Sequence, residues 1–250
     1  MTEENGTATD RSPMASRSFV IAGVAVGLIA LTGIAVGIGV LTDDPDPSPS
    51  PSDTGPTATA SASATPAADA SVCGLPGVEM TGRLTTPPEA TWEYMDVYAY
   101  PVSPAAGPGE TASEGYRYCY QRTPTGALFA AAYASVAGSV NDQQFVAAWL
   151  DYALAPGANR DEILSELGTN ASQADTRAAI EGFRILHYDG TTARVDIAFA
   201  VASGGQTVTL SAIYELAWAD GDWKLNTDVD EPLRVAQVPN TTGYVRWGEA

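Results

Sequence analysis

The sequence predicts an α+β domain, helices first and a curved antiparallel sheet after them, carried by one transmembrane helix and a disordered linker. Three observations predict it. Apolar spacing runs at the helical period of 3.6 from about residue 124 to about residue 182 and at the strand period of 2 beyond it. An uncharged run, Phe19–Leu41, precedes everything globular. Between that run and the globular part lies a stretch without a single aromatic or large aliphatic residue.

Phe19–Leu41 would span roughly 34 Å as a helix, slightly more than the ~30 Å hydrocarbon core of a bilayer. A secretory signal core is shorter, about 7–15 residues, and ends in a small-x-small site that Leu41-Thr42-Asp43-Asp44-Pro45 does not supply. Retention as an anchor follows, with cleavage inside the Gly- and Ala-rich core as the alternative left open. Arg11 and Arg17 precede the segment, and Asp43, Asp44 and Asp46 follow it. Positive flanks stay inside, so residues 1–18 form a short cytoplasmic tail and the C-terminal part lies outside the cell membrane. Gly23 with Gly27 and Gly33 with Gly37 have small-xxx-small spacing. That spacing has two readings, the face of a homo-oligomer or the ordinary composition of such an anchor.

Residues 42–72 hold Pro45, Pro47, Pro49, Pro51, Pro56 and Pro66 among Ser, Thr, Ala and Asp. Nothing there buries enough surface to offset ordering, so a disordered tether is expected. Cys73 and Cys119 are the only cysteines. Beyond a membrane, in an oxidising compartment, their simplest fate is one disulfide within the domain of residues 73–250. A bridge between chains or a reactive thiol are the other readings.

In that domain Trp92–Ser103 (WEYMDVYAYPVS) reads as a strand, and YRYCYQ as a second, short one. Thr123 is placed to cap a helix that has Pro124 in its first position. Phe129, Tyr133, Val136 and Val140 then fall on one helical face. A second helix opens at Asn141 with Gln144 completing a capping box, carries Phe145, Trp149 and Tyr152, and stops at Pro156-Gly157. A third runs from Asn159 to about Gly168, and residues 172–182 suggest a fourth. FRILHYD, ARVDIAFAV, TVTLSAIYELAW and WKLNTD follow as strands, joined at Asp189-Gly190, Gly204-Gly205 and Asp220-Gly221. Val208, Leu210, Ala212, Tyr214, Leu216 and Trp218 share one face of the third of these, while Asp196 alternates away from the core.

The formal charge is -18, from 30 acidic and 12 basic residues. Polyphosphate backbones would be repelled, so nucleic acid is not an expected partner. DGDWKLNTDVDE, residues 220–231, has acids at calcium-loop positions, yet Lys224 and Leu225 stand where a ligand oxygen and a glycine are required. His187 is the sole histidine, and no G-x-S-x-G elbow, S-x-x-K pair, P-loop or G-x-G-x-x-G occurs. No catalytic constellation and no cofactor or metal site is identified.

The order of helices before a meander ending in WADGDWKLN resembles the cone-shaped NTF2-like fold over roughly residues 115–230. A narrower resemblance lies in Trp92, PVSPAAGP, RTPTGALFAAA, DGDW and Trp247. It is carried by Pro101, Pro104, Gly107, Pro108, Thr123, Pro124, Gly126, Ala127, Gly221 and Trp223. These residues resemble a family of actinobacterial membrane-anchored proteins that accompany conjugative or integrated mobile elements. The resemblance implies an extracellular scaffold or interaction protein, with protein partners in a conjugative or secretory envelope assembly. The alternative it allows is a module binding a small molecule or cell-wall ligand inside the cone, where Tyr133, Trp149, Tyr214 and Trp218 would line the cavity. An open interior of about 300 Å³ or more would favour the binder, and a filled one the scaffold.

Overall fold

The structure, a computed structural model, describes residues 70–166, 177–203 and 205–249. Among these residues, ten strands and three helices form in the order β1 (Thr91–Met95), β2 (Tyr98–Val102), β3 (Glu110–Thr111), β4 (Arg117–Tyr118), α1 (Pro124–Ala137), α2 (Gln143–Ala153) and α3 (Arg160–Glu166). Then come β5 (Arg177–Tyr188), β6 (Thr192–Ser203), β7 (Gln206–Ala219), β8 (Asp222–Leu225), β9 (Leu233–Val238) and β10 (Val245–Arg246). Strand accounts for 41% of these residues and helix for 19%, so the domain is mostly β.

The predicted α+β, NTF2-like arrangement is therefore not the fold that forms. Two short hairpins, β1–β2 and β3–β4, precede the helices, and the main sheet has six strands where a four-stranded meander is expected. Residues 177–182 of the expected fourth helix belong to β5 instead, and residues 172–176 lie outside the described residues. Among the described residues no helix is long and apolar enough to cross a membrane. The anchor read at Phe19–Leu41, the tail 1–18 and residues 42–69 of the linker lie outside the described residues. The packed unit starts slightly ahead of Cys73: Ser71 is buried, and the Val72 N–H donates to the Gly221 carbonyl at 2.8 Å.

The meander itself forms as read. β5, β6, β7 and β8 pair antiparallel in sequence order, β9 lies beside β7 over Thr209–Tyr214, and β10 adds to β5 at Gly182 and Phe183. At the tight β7–β8 turn both Asp220 and Gly221 have positive φ, the requirement of a two-residue hairpin whose twist matches its strands. Two irregularities in β5, near Ile180 and Ile185, break its register with β6 and bend the sheet.

WEYMDVYAYPVS is not one strand but a hairpin, because Asp96 takes up a left-handed conformation (φ 53) and turns the chain. β1 and β2 then pair from Thr91–Val102 to Met95–Tyr98. This hairpin explains α1, which packs on β2 as well as on β5, β6, β7 and β8. With partners on both sides, α1 buries nearly all of its surface rather than the one face its periodicity marks. Small residues permit that approach: Ala127, Ala131, Ala132 and Ala137 are all fully buried.

The helix starts hold chemically. Thr123 Oγ1 accepts from the Gly126 N–H at 3.1 Å, as expected for the cap of α1. α2 is capped by Asp142, not Asn141; its carboxylate accepts from the N–H groups of Gln144 and Phe145. Gly126 has a second task. A Cβ there would sit 1.9 Å from the Gln121 carbonyl oxygen, which itself accepts from Trp223 Nε1 and the Thr123 N–H. Gly126→Ala should therefore destabilise by about 1–3 kcal/mol through overpacking, against the gain of up to ~1 kcal/mol that alanine brings to an open helix interior. Thermal unfolding of the variant beside wild type checks this; a raised midpoint would contradict the packing described.

Candidate functional site

Helices α1 and α2 and strands β7 and β8 meet around a narrow chamber. Tyr133 from α1 and Trp149 from α2 both line it, together with Arg117, Tyr120, Tyr152 and Leu216. The space left among them is about 20 Å³, room for a water and not for an organic ligand.

The four residues expected to converge inside thus divide. Tyr133 and Trp149 are brought together; Tyr214 and Trp218 are not at the chamber. Tyr214 is fully buried on the core face of β7, beside Ser135, and no hydrogen-bond partner meets its hydroxyl. Trp218 packs edge-on against Trp223 at 5.4 Å, and the guanidinium of Arg122 lies over its ring. Burial raises the pKa of both Tyr133 and Tyr214 well beyond that of a free phenol, which removes them as proton acceptors near neutral pH.

A buried carboxylate with four donors, which the sequence does not single out, lies beside this chamber. Asp222, the first residue of β8, is fully buried. Its Oδ2 accepts from the Cys119 N–H and from Tyr152 Oη, both at 2.7 Å; its Oδ1 accepts from the N–H groups of Tyr120 and Trp223 at 2.8 and 2.9 Å. Burial pushes its carboxyl up to about 6, against the downward pull of those four donors. In sequence it is one more acid of DGDW, and its place on an alternating strand assigns it to the outer face. The structure covers that face with the Cys119–Tyr120 segment and Tyr152.

The disulfide reading holds: Cys73 and Cys119 are bonded, with Cα atoms 6.0 Å apart, so neither thiol is available. Cys119 takes up a left-handed conformation (φ 71) directly against the Asp222 carboxylate. The bond thereby ties the start of the domain to the same knot of hydrogen bonds that holds β8 and α2.

Asp196 points away from the helices, as its alternation implies, yet it is not solvated. It is fully buried, accepting from Ser211 Oγ at 2.7 Å, Tyr244 Oη at 2.8 Å and the guanidinium of Arg184, which stacks on the Tyr244 ring. The segment between β9 and β10 thus covers the second face of the sheet there. His187 is exposed and lies 3.2 Å from Asp189 at the far end of β5, where the same carboxylate also accepts from the hydroxyls of Thr191 and Thr192. Among the described residues no three acidic, histidine or cysteine side chains gather as metal ligands.

A wider concavity lies outside the core. A groove of about 620 Å³ runs between the outer face of the sheet, at Ala179 and Ala200, and the end of the chain. Glu181, Thr241, Arg246 and Glu249 line it with polar groups. Its wall is fixed by Trp247, buried among Trp92, Phe129 and Phe183 at centroid distances of 5.2–5.6 Å.

Fold and site together define a disulfide-closed, mostly β domain with a narrow inner chamber and a broad polar groove on its surface. The chain belongs to the family described as a domain of unknown function (DUF8175), whose family model matches residues 52–246. No curated protein and no solved structure matches it.

Proposed function

We propose that the protein is an extracytoplasmic scaffold or interaction module, anchored by Phe19–Leu41 and binding a protein partner of an envelope assembly in the groove beside Glu181, Arg246 and Glu249. The filled interior carries this reading. With about 20 Å³ between Tyr133 and Trp149, a ligand has no route to a core site, whereas the outer groove is open and large enough for a peptide segment. The disulfide supports an oxidising compartment, and hence residence outside the cytosol. The groove's alternation of acid and base favours a polar protein surface over an apolar small molecule.

The test is a photo-crosslinking amino acid in place of Thr241, at the groove, in intact cells treated with external protease. Discrete higher-mass species that protease added outside can digest are expected. A product of twice the chain's own mass would make the partner a second copy. Absence of any crosslinked species, or a domain sheltered from protease, would overturn the proposal.

A further inference from the structure

Four buried polar atoms of the described residues meet no hydrogen-bond partner: Arg117 Nε, Tyr120 Oη, Tyr214 Oη and Trp218 Nε1. Two of the four residues, Arg117 and Tyr120, line the same narrow chamber. We propose that this chamber is a hydration site that holds one structural water, bonded to Arg117 Nε and Tyr120 Oη.

The size fits. A water needs roughly 10–15 Å³ of this kind of space and 2–4 polar partners, and the chamber has about 20 Å³. The chemistry fits as well. Arg117 spends its other donors on Glu93 Oε2 at 2.9 Å, the Pro108 carbonyl at 3.1 Å and, through its backbone N–H, Tyr133 Oη at 2.8 Å. Nε–H is left pointing at nothing in the protein. Tyr120 is 4% exposed, so bulk solvent does not reach its hydroxyl. Tyr133 and Tyr152 are both in the lining, and the Tyr133 hydroxyl, which accepts from the Arg117 N–H, keeps its own hydrogen to donate. A water accepting from Arg117 Nε and Tyr133 Oη and donating to Tyr120 Oη would have three partners. An anion is disfavoured, because Glu93 already meets the guanidinium charge.

The consequence is structural coupling. Glu93 belongs to β1, Arg117 to β4 and Tyr133 to α1, so one water joins the hairpin to the helix layer. Tyr152, which donates to Asp222, lines the same chamber, so the hydration site adjoins the residue that holds the buried carboxylate.

Nuclear Overhauser spectroscopy on the full-length chain tests it. Cross-peaks of the sign given by long-lived bound water are expected between the water resonance and the ring protons of Tyr120 and Tyr133, with loss of the Tyr133 cross-peak in Tyr120→Phe. Xenon distinguishes a dry chamber, since an empty apolar cavity takes up the gas and a wet one does not. Missing cross-peaks in wild type, their persistence unchanged in Tyr120→Phe, or xenon-induced shifts at Trp149 and Leu216 would each overturn the proposal. Should Tyr120→Phe fail to fold, the wild-type cross-peaks and the xenon response decide alone.

Discussion

Replacing Asp222 with alanine is expected to destabilise the domain by about 3–5 kcal/mol, a large share of the ~5–15 kcal/mol typical of a folded domain. The carboxylate is the common acceptor for the N–H groups of Cys119, Tyr120 and Trp223 and for Tyr152 Oη, and alanine leaves all four donors without an acceptor inside the protein. Each unmet buried donor costs roughly 1–3 kcal/mol, softened where water can enter. Urea denaturation of the variant checks the magnitude. A loss below about 1 kcal/mol would mean that solvent replaces the carboxylate without penalty.

The nearly isosteric Asp222→Asn adds a pH test. Asp222 has its carboxyl raised from 3.8 to about 6 by burial, so the folded chain retains a proton that the unfolded chain gives up. Its stabilising contribution is complete below the unfolded value and is lost as pH rises through about 6. Asparagine does not titrate. The stability of wild type relative to Asp222→Asn should therefore fall between pH 4 and pH 7, by up to about 3 kcal/mol. A wild type that gains on the variant as pH rises would show that the four hydrogen bonds outweigh the burial.

The second large effect is expected from the disulfide. Cys73 and Cys119 are 46 positions apart, and closing a loop of that length stabilises by about 4 kcal/mol on the chain-entropy estimate. The bond also holds Ser71 and Val72 against the Asp220–Gly221 turn, where Gly221 approaches the backbone of Val72. The double substitution of both cysteines by alanine and the reduced wild type should show the same lowered urea midpoint. Their denaturant slopes should exceed that of the oxidised protein slightly, since an uncrosslinked unfolded chain exposes more surface. Equal midpoints for oxidised and reduced protein would show that hydrogen bonding alone holds the first residues in place.

Much of the helical and meander structure could be read from local signals. Thr123-Pro124 marks a helix start because both residues act on the N–H groups of their own first turn. Asp189-Gly190 and Asp220-Gly221 mark turns because their backbone preferences are local. The hairpin within Trp92–Ser103 was also local, in the single left-handed residue Asp96, but a run of aromatics on both sides masks it. β9 and β10 carry no such signal. None of the six residues of β9 is buried, and β10 is two residues long; both exist because β7 and β5 offer unpaired backbone.

The candidate site was less readable, for a physical reason. Alternation along a strand says which side chains share a face, not what will cover the other face. Asp196 and Asp222 both alternate away from the apolar set, and both end fully buried, one under Tyr244 and the other under Cys119–Tyr120 and Tyr152. Tyr133 and Trp149 reach a common chamber because two helices cross one sheet, while Tyr214 and Trp218, on the same strand face, do not.

By itself the sequence determined the capped start of α1, the β5–β8 meander and the net charge of -18, because each depends on neighbours along the chain or on composition alone, while the structure chose the intrachain disulfide from three readings. Only the tertiary structure decided that the domain is mostly β, that α1 is enclosed on nearly all sides, that the chamber between α1 and α2 has room for little more than a water, and that Asp196 and Asp222 are buried. Those outcomes depend on which distant segments lie down on which faces, and a buried polar group is recognised only once its partners have arrived.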